Sequence, residues 1–181
     1  MPQTFRFSAK LPKEITHQRK LIDCAEPLKT FADQVAVLGD KLAIILVQLP
    51  PKLAFDGPVV RSFFDHLRAS CSARIACEPR NASWFAPAAD GLLKELQVAR
   101  VAADPAICPK AALPGGWGEL RYWRLHGSPV VYRSSYGDRI AGYAEMVKRA
   151  GENGDAWCIF DNTASSAAMG DALRLVDELS S

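Results

Sequence analysis

An α/β chain built on a parallel sheet with outer helices is the fold class that this sequence predicts, and three observations predict it. Short runs rich in β-branched or aromatic residues alternate along the chain with amphipathic stretches of helical length. Such alternation means parallel strands joined by right-handed crossovers. The run LAIILV (42–47) is apolar on both faces, as a strand is when helices cover one side and a barrel interior or a second helical layer covers the other. Counting is the third observation. An eight-unit β/α barrel averages about 250 residues, or about 30 per unit, so a chain of 181 residues supplies about six. The pattern alone reads either as an open parallel sheet or as a barrel lacking two units.

The strand candidates are FRFSAK (5–10), LAIILVQLP (42–50), ARIACEP (73–79), ARVAADP (99–105), LRYWRLHG (120–127) and AWCIFDN (156–162). Each is a short apolar run with a polar exit. Helices are expected near 27–39, 57–70, 86–98, 138–150 and 164–179. The last carries Ala167, Ala168, Leu173, Val176 and Leu179 at helical spacing, with Thr163 and Ser165 as candidate N-caps. Segment 105–119 breaks the rhythm with three prolines and three glycines, the mark of a long connecting loop. No low-complexity tract, internal repeat or composition shift divides the chain, so a single domain over 1–181 is expected.

Composition narrows the class. With 49% hydrophobic and 23% charged residues, the chain can bury one sizeable core. A formal charge of +2 is too small to mark a nucleic-acid-binding protein by field strength. The cysteines at 24, 71, 77, 108 and 158 form no CxxC pair, and their odd number closes no disulfide framework. They read as reduced, buried thiols of a cytoplasmic protein. The first twenty residues contain no signal-like apolar stretch, and Leu42 to Val47 is far too short to span a bilayer.

The chemistry gathers at the strand exits. These are Lys10, Gln48, Glu78 with Arg80, Asp104, Arg124 with His126, and Asp161 with Asn162. In parallel α/β folds such ends lie on one rim, where ligands bind. Side chains alternate along a strand, so Tyr122, Arg124 and His126 share one face while Trp123 and Leu125 share the other. The competing account is structural: Asp104 only precedes a turn-forming Pro105, and Arg80 pairs with Glu78 as an ion bridge.

FRFSAKLPKEITH, LGDKLAIILVQLPP, the Glu-x-Arg and Trp of CEPRNASW, YWRLHG followed by Tyr132 and Tyr136, and FDNTASSAA together resemble the domain-of-unknown-function 72, or YecE-like, family. The resemblance runs in order through nearly the whole chain. It implies a TIM-barrel-like fold, with about six of eight β/α units present, and an unassigned enzymatic activity. The family's usual first segment, a Gly-Thr-Ser-Gly-Trp strand and a following Glu-Asn-x-Phe-Tyr element, has no counterpart. The chain starts at what resembles the family's third strand and is expected to form an incomplete barrel. Asn81 stands where the family usually has His, and Gly170 where Asn often stands.

Lys10, Arg80 and Arg124 are cations suited to a small phosphate- or carboxylate-bearing ligand, and Arg offers a planar fork of donors. Glu78, His126 and Asp161 are the candidate catalytic acid and base groups. Gln48, Asp104 and Asn162 are candidate ligand contacts. His17 reaches the rim from its loop or packs within it. Trp84 stacks on a ligand or belongs to the core. No metal is assigned, because HxH, HxxxH and HExxH spacings are absent and the nearby cations oppose one. No cofactor is assigned either. There is no GxxxxGK[ST] loop, and PGGWG follows no apolar strand; nothing resembles a Ser nucleophile elbow.

Two functions are in play: a barrel enzyme using acid/base chemistry on a small anionic substrate, or a non-catalytic relative that binds a ligand or partner. A nucleic-acid phosphoester enzyme is a weaker third. Open edges at the strands 5–10 and 156–162 predict self-association.

Overall fold

Each apolar run forms strand, one of them divided in two, and each amphipathic stretch a helix, with boundaries within a few residues of those expected. The computed structural model describes residues 2–181. It divides into two compact units, Met1–Val98 and Ala99–Ser181.

The first unit holds β1 (Phe7–Lys10), α1 (Ala25–Val35), β2 (Leu42–Gln48), α2 (Gly57–Ser70), β3 (Arg74–Glu78) and α3 (Pro87–Glu95). β2 pairs in parallel with β1 on one side and β3 on the other. Ile44, Ile45, Leu46 and Val47 are all buried, so β2 is closed on both faces, as its unbroken apolar run requires. Helix α2 is started by Asp56, whose carboxylate accepts from the Val59 N–H at 3.2 Å, with Pro58 in the first turn where no donor is lost. Its buried stripe is Val60, Phe63, Phe64 and Leu67. Each such side chain contributes about 1.5–3 kcal/mol on leaving water. α2 packs against α1 and α3.

In the second unit, β5 (Ala102–Asp104), β7 (Leu120–Leu125) and β8 (Asp155–Phe160) form a parallel sheet in that order. The expected single run 99–105 is in fact two three-residue strands, β4 (Val98–Arg100) and β5. They part because β4 pairs antiparallel with β6 (Gly115–Gly116), while β5 pairs parallel with β7. Segment 105–119 is therefore not a bare loop: it contains β6 and a 3-10 turn at Pro109–Ala112.

Helices α4 (Arg139–Gly151) and α5 (Ala167–Ser180) cover one face of this sheet. The core there comprises Ala102, Trp123 and Leu125 from the strands, Tyr143, Ala144 and Val147 from α4, and Leu175 from α5. The N-cap expectation for α5 is corrected. The helix begins at Ala167, three residues later than expected, after a left-handed N-cap Ser166 that makes no side-chain cap bond, and the Ser165 hydroxyl donates instead to the Arg133 carbonyl. Two of the five residues read as its apolar spacing, Leu173 and Val176, are 58% and 56% exposed. Asp171 and Leu175 form the buried side instead.

The architecture is thus mixed α/β with parallel-rich sheets. Among the described residues β1 pairs only with β2, β8 pairs only with β7, and no barrel closes. Among the described residues no helix is long and apolar enough to cross a membrane. All five cysteines are free thiols, of which only Cys24 and Cys77 are buried.

Candidate functional site

Register decides which exit residues share a face. In the first unit Lys10 is opposite Leu46, and Gln48, two residues on from Leu46, is opposite Glu78. Lys10, Gln48 and Glu78 therefore lie on the same face at the C-terminal ends of their strands. Glu78 is fully buried, and its carboxylate accepts an ion-paired contact from Arg80. A buried carboxylate requires such a partner, since desolvating it alone would cost several kcal/mol.

The Thr16 hydroxyl lies 2.8 Å from Nδ1 of His17. Burial is the main force lowering the pKa of His17 below its ordinary value, and the charges of Lys13 and then Lys10 add to it. His17 and Lys10 thus share one positive field, which disfavours protonation of the imidazole.

Trp84 has no stacking face to offer. It is 0% exposed, its ring N–H donates to the Leu53 carbonyl at 2.9 Å, and Phe55 meets its ring edge-on. Asn81 pins the same loop: its amide donates to the Pro51 carbonyl, while its oxygen accepts from the Ser83 N–H and hydroxyl.

In the second unit Tyr122 is opposite Trp157 and Arg124 opposite Ile159, and the Tyr122 and Trp157 rings stack 6.4 Å apart. Tyr122, Arg124 and His126 do share a face, joined there by Asp161 two residues beyond Ile159. Asp161 Oδ2 accepts from Arg124 Nη2 at 2.7 Å and lies 3.0 Å from His126 Nδ1. An ionised carboxylate only accepts, so Nδ1 carries the proton, and in the neutral ring Nε2 carries the lone pair. The side chains of Arg124 and His126 are 8% and 2% exposed, that of Asp161 33%. Solvent meets the carboxylate first.

Gly127 lets the chain turn directly after His126. Its φ is +95°, and a Cβ there would sit 3.0 Å from the Ser134 carbonyl oxygen and 3.1 Å from Cβ of Asn162. Only glycine fits.

Asp104 and Asn162 depart from the expected ligand role. Asp104 is opposite Leu125, so it faces α4, away from Arg124. Its carboxylate accepts from Arg139 at 2.5 Å and from the Tyr143 hydroxyl at 2.8 Å. Asn162 is fully buried, donating to the Ser134 carbonyl and to Asp171. Asp171, which sequence reading did not single out, also accepts from the Ser135 hydroxyl and the Tyr136 N–H. Its only sequence signal was its position one turn before Leu175, on the buried side of α5. Among the described residues no group of three or more His, Cys, Asp or Glu side chains is arranged to hold a metal ion.

A mixed α/β chain with parallel-rich sheets, whose strand exits carry arginine-paired carboxylates and a histidine, is the class defined by this geometry. The chain belongs to the family described as "Protein of unknown function DUF72", whose model matches residues 1–181. Among solved structures it is similar to a DUF72 family protein from Thermotoga maritima MSB8. The identity is 22% and the TM-score 0.82, over 100% of this chain and 76% of that one. A DUF72 family protein from Enterococcus faecalis V583 is similar at 24% identity and a TM-score of 0.79, over 100% of this chain and 80% of the other. No curated protein matches the chain.

Proposed function

We propose that the chain is a TIM-barrel-like, cytoplasmic enzyme in a single domain, acting by acid/base chemistry on a small phosphate- or carboxylate-bearing substrate at the C-terminal ends of its strands. The observation that carries the reading is the convergence of Arg124 and His126 on one carboxylate oxygen of Asp161. Two donors on Oδ2 hold the carboxylate oriented. Asp161 is the most exposed member, so it meets the substrate and takes or returns the proton. His126 and Arg124 stabilise its charge from beneath. Within the Met1–Val98 unit taken by itself, the field of Lys10 and Lys13 around His17 supports an anionic ligand, and Glu78 there is neutralised by Arg80. The parallel register of β1–β3 and of β5, β7 and β8 supports the barrel-like reading.

One observation favours a non-catalytic ligand binder instead: Glu78 and Asp161 are both already engaged in ion pairs within the chain.

Screening phosphorylated and carboxylated metabolites for turnover and for thermal stabilisation tests both readings. With a substrate found, Asp161→Asn should lower turnover by about a hundredfold with binding largely kept, typical of a lost acid or base, and His126→Gln should also lower turnover, because the carboxylate loses a donor. Arg124→Lys, which keeps the charge but loses the fork, should lower turnover less. Stabilisation by a metabolite without turnover selects the binder. Oligonucleotide binding that falls steeply with salt would select the nucleic-acid enzyme.

A further inference from the structure

We propose a second ligand site in the Ala99–Ser181 unit, at the N-terminal end of β7, for a small monoanion with a compact apolar body, such as an aryl or branched-alkyl carboxylate. A groove of about 310 Å³ lies there between β7, the C-terminal end of α4 and the segment before β6. Its volume is at the lower end of ligand pockets, roughly 300–1,000 Å³. It lies at the other end of β7 from His126.

Most of the lining is apolar: Leu113, Pro114, Trp123, Met146 and Ala150. Leu113 is 57% exposed, yet it is held in place, because Arg100 Nη1 donates to the carbonyls of Lys110 at 2.9 Å and Leu113 at 3.3 Å. The groove is therefore preformed, which lowers the ordering cost of binding.

Its polar side chains are the guanidinium groups of Arg121 and Arg149, the Trp123 ring N–H and the Asn153 amide, so cations and donors predominate. Arg121, on the same face of β7 as Trp123, is partly buried and has no hydrogen bond or ion pair among the described residues. Arg149 reaches only a long 3.6 Å contact with Glu145. The ring N–H of Trp123, a residue 3% exposed, is buried without an acceptor. A guanidinium half removed from water beside apolar surface is unfavourable until an anion satisfies it, and a carboxylate does so through the guanidinium fork. The wall contains no carboxylate to compete. An apolar body then covers the Trp123, Met146 and Ala150 surface, which excludes a bare inorganic anion as the best fit.

Calorimetry and tryptophan fluorescence with phenylacetate, its neutral amide phenylacetamide, and inorganic phosphate test the site. Phenylacetate should bind saturably, at least tenfold more tightly than either comparison probe. Arg121→Gln should weaken it at least tenfold, and Arg121→Lys less, with the melting temperature of each ligand-free variant reported beside the affinity to show that it folds. Absence of saturable binding, equal binding of the amide, unaltered affinity in a folded Arg121→Gln variant, or a loss caused by Arg124→Lys instead would each overturn the proposal.

Discussion

His126 Nδ1 lies 3.0 Å from Oδ2 of Asp161, a residue 35 positions further along the chain. Because Arg124 donates to the same oxygen, the three side chains form one unit, and removing one member leaves the others partly buried without their partner.

Asp161→Asn and Arg124→Gln should therefore each destabilise the protein by about 1–3 kcal/mol, the cost of stranding a buried hydrogen-bonding group. The double variant should lose clearly less than the sum. Urea unfolding of the four proteins measures this, and strict additivity would show that the contact contributes nothing.

Gly127→Ala should lower stability by about 1–3 kcal/mol, the usual cost of forcing a side chain into a strained backbone region. The added Cβ meets backbone oxygens of Ser134 and Val130 and Cβ of Asn162 at 3.0–3.1 Å. Gly137→Ala provides the comparison: its φ is +51° with nothing within 4 Å, so only the conformational part of the penalty remains. Equal melting temperatures for the two variants would dismiss the steric argument.

The titration of His17, followed by NMR, should fall below the ordinary 6.5. Lys13→Gln and Lys10→Gln should each raise it partway, without full recovery, because burial is the first cause. The sign for stability follows. The unfolded state takes up the proton first as pH falls, so the contribution is fully present above about 6.5, is lost as pH drops through the folded value, and is constant below that. Unchanged titration in both lysine variants would remove these cations from the imidazole's surroundings.

Self-association is expected through the open side of β8 and the neighbouring apolar stripe of α5, where Met169, Leu173 and Val176 are 71%, 58% and 56% exposed at one-turn spacing. Light scattering should show mass rising with concentration. Leu173→Glu with Val176→Lys should shift the protein toward monomer while leaving its fold intact. A monomer at all concentrations before mutation would end this expectation.

The elements were legible because their signals are local. LAIILV could only be a doubly covered strand, and alternation placed Tyr122, Arg124 and His126 on one face before any coordinates. What was not legible depends on partners remote in sequence. Asp104 follows the same alternation, but only the register of β5 on β7 shows that its parity turns it toward Arg139 and Tyr143. Trp84 read as ligand platform or, more readily, as core, and its acceptor, the Leu53 carbonyl, places it in the core. In ARVAADP, nothing local announces that the first half pairs with a glycine pair in the following connection and the second half with β7.

The segment following His126 is fastened by the last helix of the chain. Asp171 of α5 receives Ser135, Tyr136 and Asn162, the Tyr136 hydroxyl bonds to the Gly127 N–H and the Asp104 carbonyl, and Tyr132 accepts from the Ala164 N–H. The backbone around His126 and the docking of α5 therefore form one cooperative opening unit. A fluctuation that peels off the C-terminal helix exposes the amides of 127–136 to exchange at the same rate and loosens the histidine with them. Damage to the far end of the polypeptide reaches the histidine through that shared unlocking, without any residue around the imidazole being altered.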